Sequence, residues 1–458
     1  METLDTIFEN YSSYAWGLPL LILLIGGGTY LLILSKFLPF RFIGHAINIL
    51  RGKYDDPNDP GEISHFQALM TALSSTIGMG NIAGVAVAIN IGGPGAMFWM
   101  WVSAIVGMST KFFTCTLAIL YRGKDSNGDI QGGPMYFIME GLGKSWKPLA
   151  VFFSICGLIG ALPVFNVNQL KQAINFILLE PNGFQVTQTS NFIIGIVLVM
   201  ITGIVILGGL NRISKTAEKL VPAMVMLYFV LVLIILGIYI EDVPKYFMLI
   251  FTDAFDGGFF KGDEFLGGVL GGLILLGIRR GAFSNEAGIG TAPMAHGAAK
   301  TDEPVREGLV AMLGPAIDTL FVCTLTALAI LVTGVWQNTD VNGVSLTATA
   351  FNNALPGVGN YLLLICIATF SMSSLFTYSY YGTKCMSFLF GAHNKHYYNY
   401  LYITSIVLGA VTPLSMMLNL IDGTFALMAI PTMTATLILA PKVVEEFKKY
   451  IQRMKSQN

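Results

Sequence analysis

Charge is scarce in this chain. Only 12% of its 458 residues are Asp, Glu, Lys or Arg, and 54% are hydrophobic. Soluble proteins carry about a quarter charged residues, so an ordinary soluble globular protein is excluded. Net charge is −1 and no basic tract exists, which removes nucleic acid as a partner. Cysteine is equally sparse. Cys115, Cys156, Cys323, Cys366 and Cys385 are odd in number and fit no disulfide or metal spacing; they read as small buried hydrophobes. The five histidines form no ligand pattern. G-x-S-x-G, H-E-x-x-H and phosphate-loop signatures are absent. A membrane-embedded enzyme therefore lacks its nucleophile and base, and a sensor lacks a signalling domain. The first 35 residues contain no Lys or Arg. They lack the positive start of a cleaved leader, so the first span is expected to be retained.

What the chain has is apolar runs of 18 residues or more, long enough to cross about 30 Å of hydrocarbon. Read against the loops, they predict an all-α membrane protein with eleven spans. The spans fall at 14–35, 66–91, 95–120, 148–178, 191–209, 218–240, 267–297, 308–334, 359–389, 398–416 and 424–440. The longest connections, 36–65, 121–147, 241–266 and 335–358, leave no room for a soluble domain. Tyr246–Phe251 is expected to lie flat at the interface, and Gln131–Tyr136 to form a structured loop. With the N-terminus outside, the outer loops hold Lys171, Lys245 and Lys261, and the spans hold Lys111, Arg279 and Arg280. The other twenty of the 26 basic residues face inward. That asymmetry predicts a cytoplasmic C-terminus. The second to sixth spans (66–240) and the seventh to eleventh (267–440) make two sets of five. An odd number gives the sets opposite topology, an inverted repeat preceded by the 14–35 helix and followed by a 441–458 tail.

Glycine-dense breaks fall in the first span of each set: Gly78-Met-Gly-Asn-Ile-Ala-Gly84 and Arg279-Arg-Gly-Ala-Phe-Ser-Asn-Glu-Ala-Gly-Ile-Gly290. A broken helix survives in lipid only where it lines a protein-enclosed cavity. Paired breaks point to a substrate and ion site at mid-membrane, and so to a secondary transporter. Unwinding at Gly78 and Gly80 frees carbonyls, which with Ser74, Ser75 and Thr76 suit a hard cation. It also frees N–H groups at a helix start, which suit a carboxylate. The bland alternative is that small residues only allow close helix packing.

Charges inside the spans cost about 2.5–3.5 kcal/mol each on insertion scales, so they need partners. Glu286 is expected to pair with Arg279 or Arg280, holding the break or an inner gate; an arginine on the substrate carboxylate is the alternative. Asp318 has three readings: cation ligand, proton relay, or partner of one of those arginines. Lys111 is expected to snorkel or pair. Phe283, Ser284 and Asn285 lie in the break and are expected to line the pocket, joined by Asn166 and Gln169 if that polar patch faces inward rather than bonding neighbouring helices. Ser371, Ser373 and Ser374 either bond their own helix or reach the first break.

Four stretches, Gly78–Val85, Gly93–Trp101, Gly132–Tyr136 and Gly281–Pro293, closely resemble the alanine or glycine:cation symporter family, and the likeness runs from about residue 14 to 440. The resemblance implies a LeuT-type fold in a prokaryotic inner membrane. It implies sodium-coupled uptake of a small neutral amino acid, with glutamine as an alternative; proton coupling through Asp318 is the runner-up from the residues themselves, and a monomer without organic cofactor is expected. Carried onto this chain, it places sodium on the backbone of Ser74 and Ile77 and the hydroxyls of Ser373 and Ser374. It places substrate near Thr76, Met79, Gly80 and Asn81. Two departures stand out. Phe370 precedes the serines where a small residue is commoner, and Met79 replaces a smaller residue of many relatives.

Overall fold

The computed structural model describes residues 2–259, 268–337, 343–411 and 415–457. Helix dominates because a backbone in hydrocarbon must bond to itself. In order, the chain forms α1 (Thr6–Leu34), α2 (Leu38–Leu50), α3 (His65–Thr76), α4 (Gly80–Gly92) and α5 (Ala96–Leu120). A two-residue hairpin follows, β1 (Gly123–Lys124) antiparallel to β2 (Ile130–Gln131), with Gly123 opposite Gln131. Then come α6 (Lys144–Asn182), α7 (Gln188–Ile206) and α8 (Gly209–Ile238), α9 (Val243–Asp256), α10 (Gly268–Asn285) and α11 (Thr291–His296). The chain closes with α12 (Pro304–Val332), α13 (Val344–Ala354), α14 (Gly359–Phe390), α15 (Lys395–Val411) and α16 (Asn419–Ser456).

Among the described residues, eight helices are long and apolar enough to cross a membrane, or nine with α3 and α4 taken as one span bent by 53°. The expected count of eleven is thus larger than length and composition support. Helix does occupy the other two expected ranges, but in short pieces. The seventh breaks after Asn285, and α15 has 17 residues before 412–414, which lie outside the described residues. Lys261 and the connecting residues 260–267 and 338–342 lie outside them too. The long connections are more ordered than their polarity suggests: α2, α9 and α13 occupy three of the four. The expected flat segment Tyr246–Phe251 is part of α9.

α5 is the buried centre and α7 the rim: 89% of the apolar window of α5 is buried in the protein, against 22% for α7. α7 turns Phe192, Ile193, Ile196, Met200 and Ile204 outward, the face a bilayer would cover. α5 packs against α10, α11 and α12, and so carries the second break. α3 starts from a capping box in which Ser64 Oγ accepts from Gln67 N and Gln67 Oε1 from Ser64 N, both at 3.2 Å.

One end of the bundle gathers α2, the hairpin and the last turns of α16. His45 Nε2 meets Tyr450 OH at 2.6 Å, and Arg453 pairs with Glu303 at 2.8 Å. Arg122 donates to the carbonyls of Pro60, Gly297, Ala299 and Thr301. This basic end holds His65, His296 and Glu307, whose carboxylate bonds both rings. The histidines do therefore meet a carboxylate, a contact between residues 65, 296 and 307 that no local spacing announces.

Candidate functional site

α3 ends at Thr76 because Ile77 leaves helical geometry (φ −75°, ψ 87°). The exposed backbone is tied off locally: Gly78 N donates to Asn81 Oδ1 at 2.9 Å, and Asn81 N to Gly78 O at 3.2 Å. Gly78 is required by a neighbour, since a Cβ there would sit 2.6 Å from Ser374 Oγ. The second break begins after Asn285, whose Oδ1 accepts from Ala287 N at 3.0 Å. Glu286 adopts left-handed backbone (φ 54°), uncommon for a non-glycine residue and a mark of local constraint. Gly290 (φ 110°) lets the chain pass Thr432 and Phe153, whose atoms lie 2.5 and 2.6 Å from where a Cβ would be.

The two breaks meet around one chamber. Ser75, Thr76, Gly78, Met79 and Gly80 form one wall, and Phe283, Ser284 and Glu286 the opposite one. Phe165 and Asn166 of α6 and Tyr378 of α14 complete it, leaving a cavity of about 20 Å³. That is room for about one water, so the chamber is nearly closed and must widen to admit even a small solute. Phe283 stands edge-on to Phe165 at 5.6 Å and to Phe425 at 6.2 Å. These rings separate the chamber from a vestibule of about 360 Å³ lined by Glu9, Ser12, Arg279, Arg280 and Asp422. Phe165, Asn166, Phe283 and Tyr378 belong to both spaces.

Beside the chamber, α14 packs on the first break through hydroxyls. Ser74 Oγ donates to Ser373 O at 2.7 Å, and Ser373 Oγ to Ser74 O at 3.2 Å. Ser374 Oγ donates to Ser75 O at 3.4 Å, and Thr377 Oγ1 to Ser74 Oγ at 2.9 Å. Ser74, Ser373, Ser374 and Thr377 are all buried. Both readings of the serines hold at once: Ser373 Oγ and Ser374 Oγ also donate to Phe370 O of their own helix, at 2.8 and 3.2 Å, while they contact the last turn before the first break. Neutral hydroxyls and carbonyls converging in a buried site are the donor set of a hard cation. Ile77 is buried at the same turn.

Asp318 sits in a π-helical stretch of α12 (Ala316–Cys323), a distortion frequent at functional sites. Its carboxylate accepts from Asn81 Nδ2 at 2.7 Å, Thr319 Oγ1 at 2.7 Å and Ser284 Oγ at 2.9 Å. Neither arginine pairs with it, and neither pairs with Glu286. Glu286 instead accepts from Tyr378 OH and Thr291 Oγ1, both at 2.5 Å, and from Ser75 Oγ at 3.5 Å. Arg279 faces the vestibule, 3.5 Å from Asp422 and over the Trp16 ring at 5.6 Å. Arg280 lines the same vestibule. The expected arginine–glutamate pair is therefore replaced by a hydroxyl-bonded glutamate. Lys111 does not snorkel: it is buried, with its Nζ beside Gly314.

Of the expected lining residues, Thr76, Met79, Gly80, Asn166, Phe283 and Ser284 face the chamber. Asn81 does not; it is fully buried behind the break, tied to Gly78 and Asp318. Asn285 turns toward Gly107 of α5, and Gln169 bonds Asn168 at 3.5 Å outside the chamber. Ser75, Phe165 and Tyr378 were not expected there. Tyr378 had a signal in its spacing, one helical turn beyond Ser374 on the same face.

A family model described as the sodium:alanine symporter family matches residues 1–458. The chain is 38% identical to the "Sodium/alanine symporter AgcS" of Methanococcus maripaludis, over 99% of this chain and 98% of that one. It is 34% identical to the "Probable sodium/glutamine symporter GlnT" of Bacillus subtilis, over 99% of this chain and 92% of that one. Among solved structures it resembles MhsT, crystallised in complex with L-phenylalanine, with a TM-score of 0.55 over 85% of this chain and 99% of that one. At 13% identity that is a likeness of LeuT-type fold alone.

Proposed function

This chain belongs to the sodium:alanine symporter family, and from that premise we propose that it imports alanine or glycine together with sodium by alternating access. Members of the family are symporters, transporters rather than enzymes, in the plasma membrane of prokaryotes. The observation that carries the finer reading is the meeting of two unwound segments around one small chamber. Sodium would bind the Ser74 and Ile77 carbonyls and the Ser373 and Ser374 hydroxyls, drawing α3 and α14 together. The ordered turn would then offer the N–H groups at the start of α4 to the substrate carboxylate, where the helix dipole favours an anion. The side chain would lie against Met79, Phe165 and Phe283. So tight a chamber must widen less for alanine or glycine than for glutamine.

We assign the basic end to the cytoplasm by its excess of Lys and Arg, which puts the vestibule outside. The inward step is then a rocking of two inverted five-span halves, with Phe165 and Phe283 closing above the substrate. His65 and His296 leave Glu307 as the cytoplasmic end opens. Sodium moving down 100 mV supplies about 2.3 kcal/mol per charge. Uptake of radiolabelled alanine into proteoliposomes tests this: it should rise with an imposed sodium gradient and vanish when that gradient collapses. A second reading rests on Asp318, a buried carboxylate held by neutral donors alone. If it carries a proton, uptake should follow a pH gradient in the absence of sodium.

A further inference from the structure

At the basic end lies an open groove of about 320 Å³ between the end of α1, α2, α5 and α16, outside the machinery described above. Its walls are mostly apolar and built on stacked rings: Phe42 and Phe112 stand edge-on to Phe447 at 5.3 and 5.8 Å. Three cations, Lys36, Arg41 and Lys448, line it, and all three are exposed. The turn that presents the first two is forced, since Lys36 and Phe37 both hold left-handed backbone (φ 55° and 56°). Among the described residues, no carboxylate lies within 4.0 Å of any of the three. The nearby acids are engaged elsewhere: Glu445 by Lys442 and Lys449, and Glu446 by Lys449 and Arg453.

α2 supplies an independent indication of what reaches this cavity. It buries Leu38, Ala46 and Ile49 and exposes Phe40, Ile43 and Ile47. An amphipathic helix with an exposed apolar stripe and basic neighbours lies in the membrane interface. The groove beside it therefore opens at headgroup depth, with oily walls for an acyl chain and, for a phosphate, three cations that no carboxylate among the described residues neutralises, one of them (Arg41) resting over the Phe42 ring at 5.6 Å. Basic pockets between helices on the cytoplasmic side have the chemistry of anionic lipid sites.

We propose that this groove binds one anionic phospholipid of the surrounding bilayer, its phosphate held by Lys36, Arg41 and Lys448 and an acyl chain against Phe42, Phe112 and Phe447. The site depends on the basic end facing a leaflet and not on the symport reading.

The test uses the full chain extracted from vesicles of phosphatidylcholine and phosphatidylglycerol, with retained lipid counted by native mass spectrometry. Phosphatidylglycerol should be retained in preference. Each of Lys36→Gln, Arg41→Gln and Lys448→Gln should weaken that preference about fivefold, equivalent to about 1 kcal/mol per surface cation. The exposed Lys455→Gln on the same helix, outside the groove, should leave it unchanged. Unfolding midpoints in phosphatidylcholine alone establish that each variant is folded. A variant that fails to fold is set aside, and the remaining single substitutions decide. The proposal is overturned if the wild type shows no preference, if the folded groove variants keep it, or if inorganic phosphate displaces the lipid.

Discussion

The two breaks solve the same problem with different chemistry. The first, at residues 77–79, carries no charge. Its Gly78 backbone is met by Asn81, and the Ser74 and Ser75 carbonyls just before it by serines of a helix 299 residues away. The second, after Asn285, carries a carboxylate in left-handed backbone, held by three hydroxyls. The first lends backbone to a ligand; the second pins the opposite wall. An unwound helix therefore becomes a binding site only where its partners are neutral and exchangeable, and a strongly bonded charge makes a hinge or a clamp.

That contrast can be broken from either side. Glu286→Ala should have the largest effect, because it leaves Ser75, Thr291 and Tyr378 without their shared acceptor. Hydrogen bonds to a charged group contribute about 1.5–3 kcal/mol each, so a loss of about 3 kcal/mol or more and no uptake are expected. Unfolding midpoint and proteoliposome flux check this together. Next, Ser373→Ala with Ser374→Ala should raise the sodium concentration for half-maximal uptake by tenfold to about a hundredfold, for about 1.5–3 kcal/mol of lost ligand bonding. Its cost to the unfolding midpoint should be small. A severe loss of stability with unchanged sodium dependence would reverse the roles given to the two regions.

Gly78→Ala is sharper still. The new methyl must displace Ser374 Oγ, 2.6 Å from its position, so sodium affinity should fall by about tenfold, equivalent to about 1.4 kcal/mol. Combined with Ser374→Ala, the methyl finds room, and the two losses should not add. The smallest effect belongs to Arg279→Gln. The pair with Asp422 is about a third exposed on each side, where ion pairs contribute about 0–1 kcal/mol. Stability should barely change, and any effect should appear in the salt dependence of uptake.

The helices were legible because lipid-facing helices announce themselves as long apolar runs, and the breaks because glycine cannot hide in such a run. The tertiary partnerships were not. Arg279 and Glu286 are seven apart, and on a continuous helix they would share a face. The helix ends at Asn285, and the left-handed Glu286 sends its carboxylate to Tyr378 and Ser75 instead. Asn166 and Gln169 are likewise neighbours on a helix surface, yet only Asn166 reaches the chamber. Asn81 looked like a substrate ligand from its place in the break, but its amide is consumed by Gly78 and Asp318. The pairing of Ser74 with Ser373 required knowing which helix crosses the break, a fact that no local pattern encodes.

Equilibrium binding of alanine to the purified chain, with sodium and with an inert cation in its place, tests the central claim most directly. If sodium orders the turn that holds the carboxylate, alanine should bind at least about tenfold more tightly with sodium, and alanine should tighten sodium by the same factor. Equal alanine affinity in the two salts would contradict it.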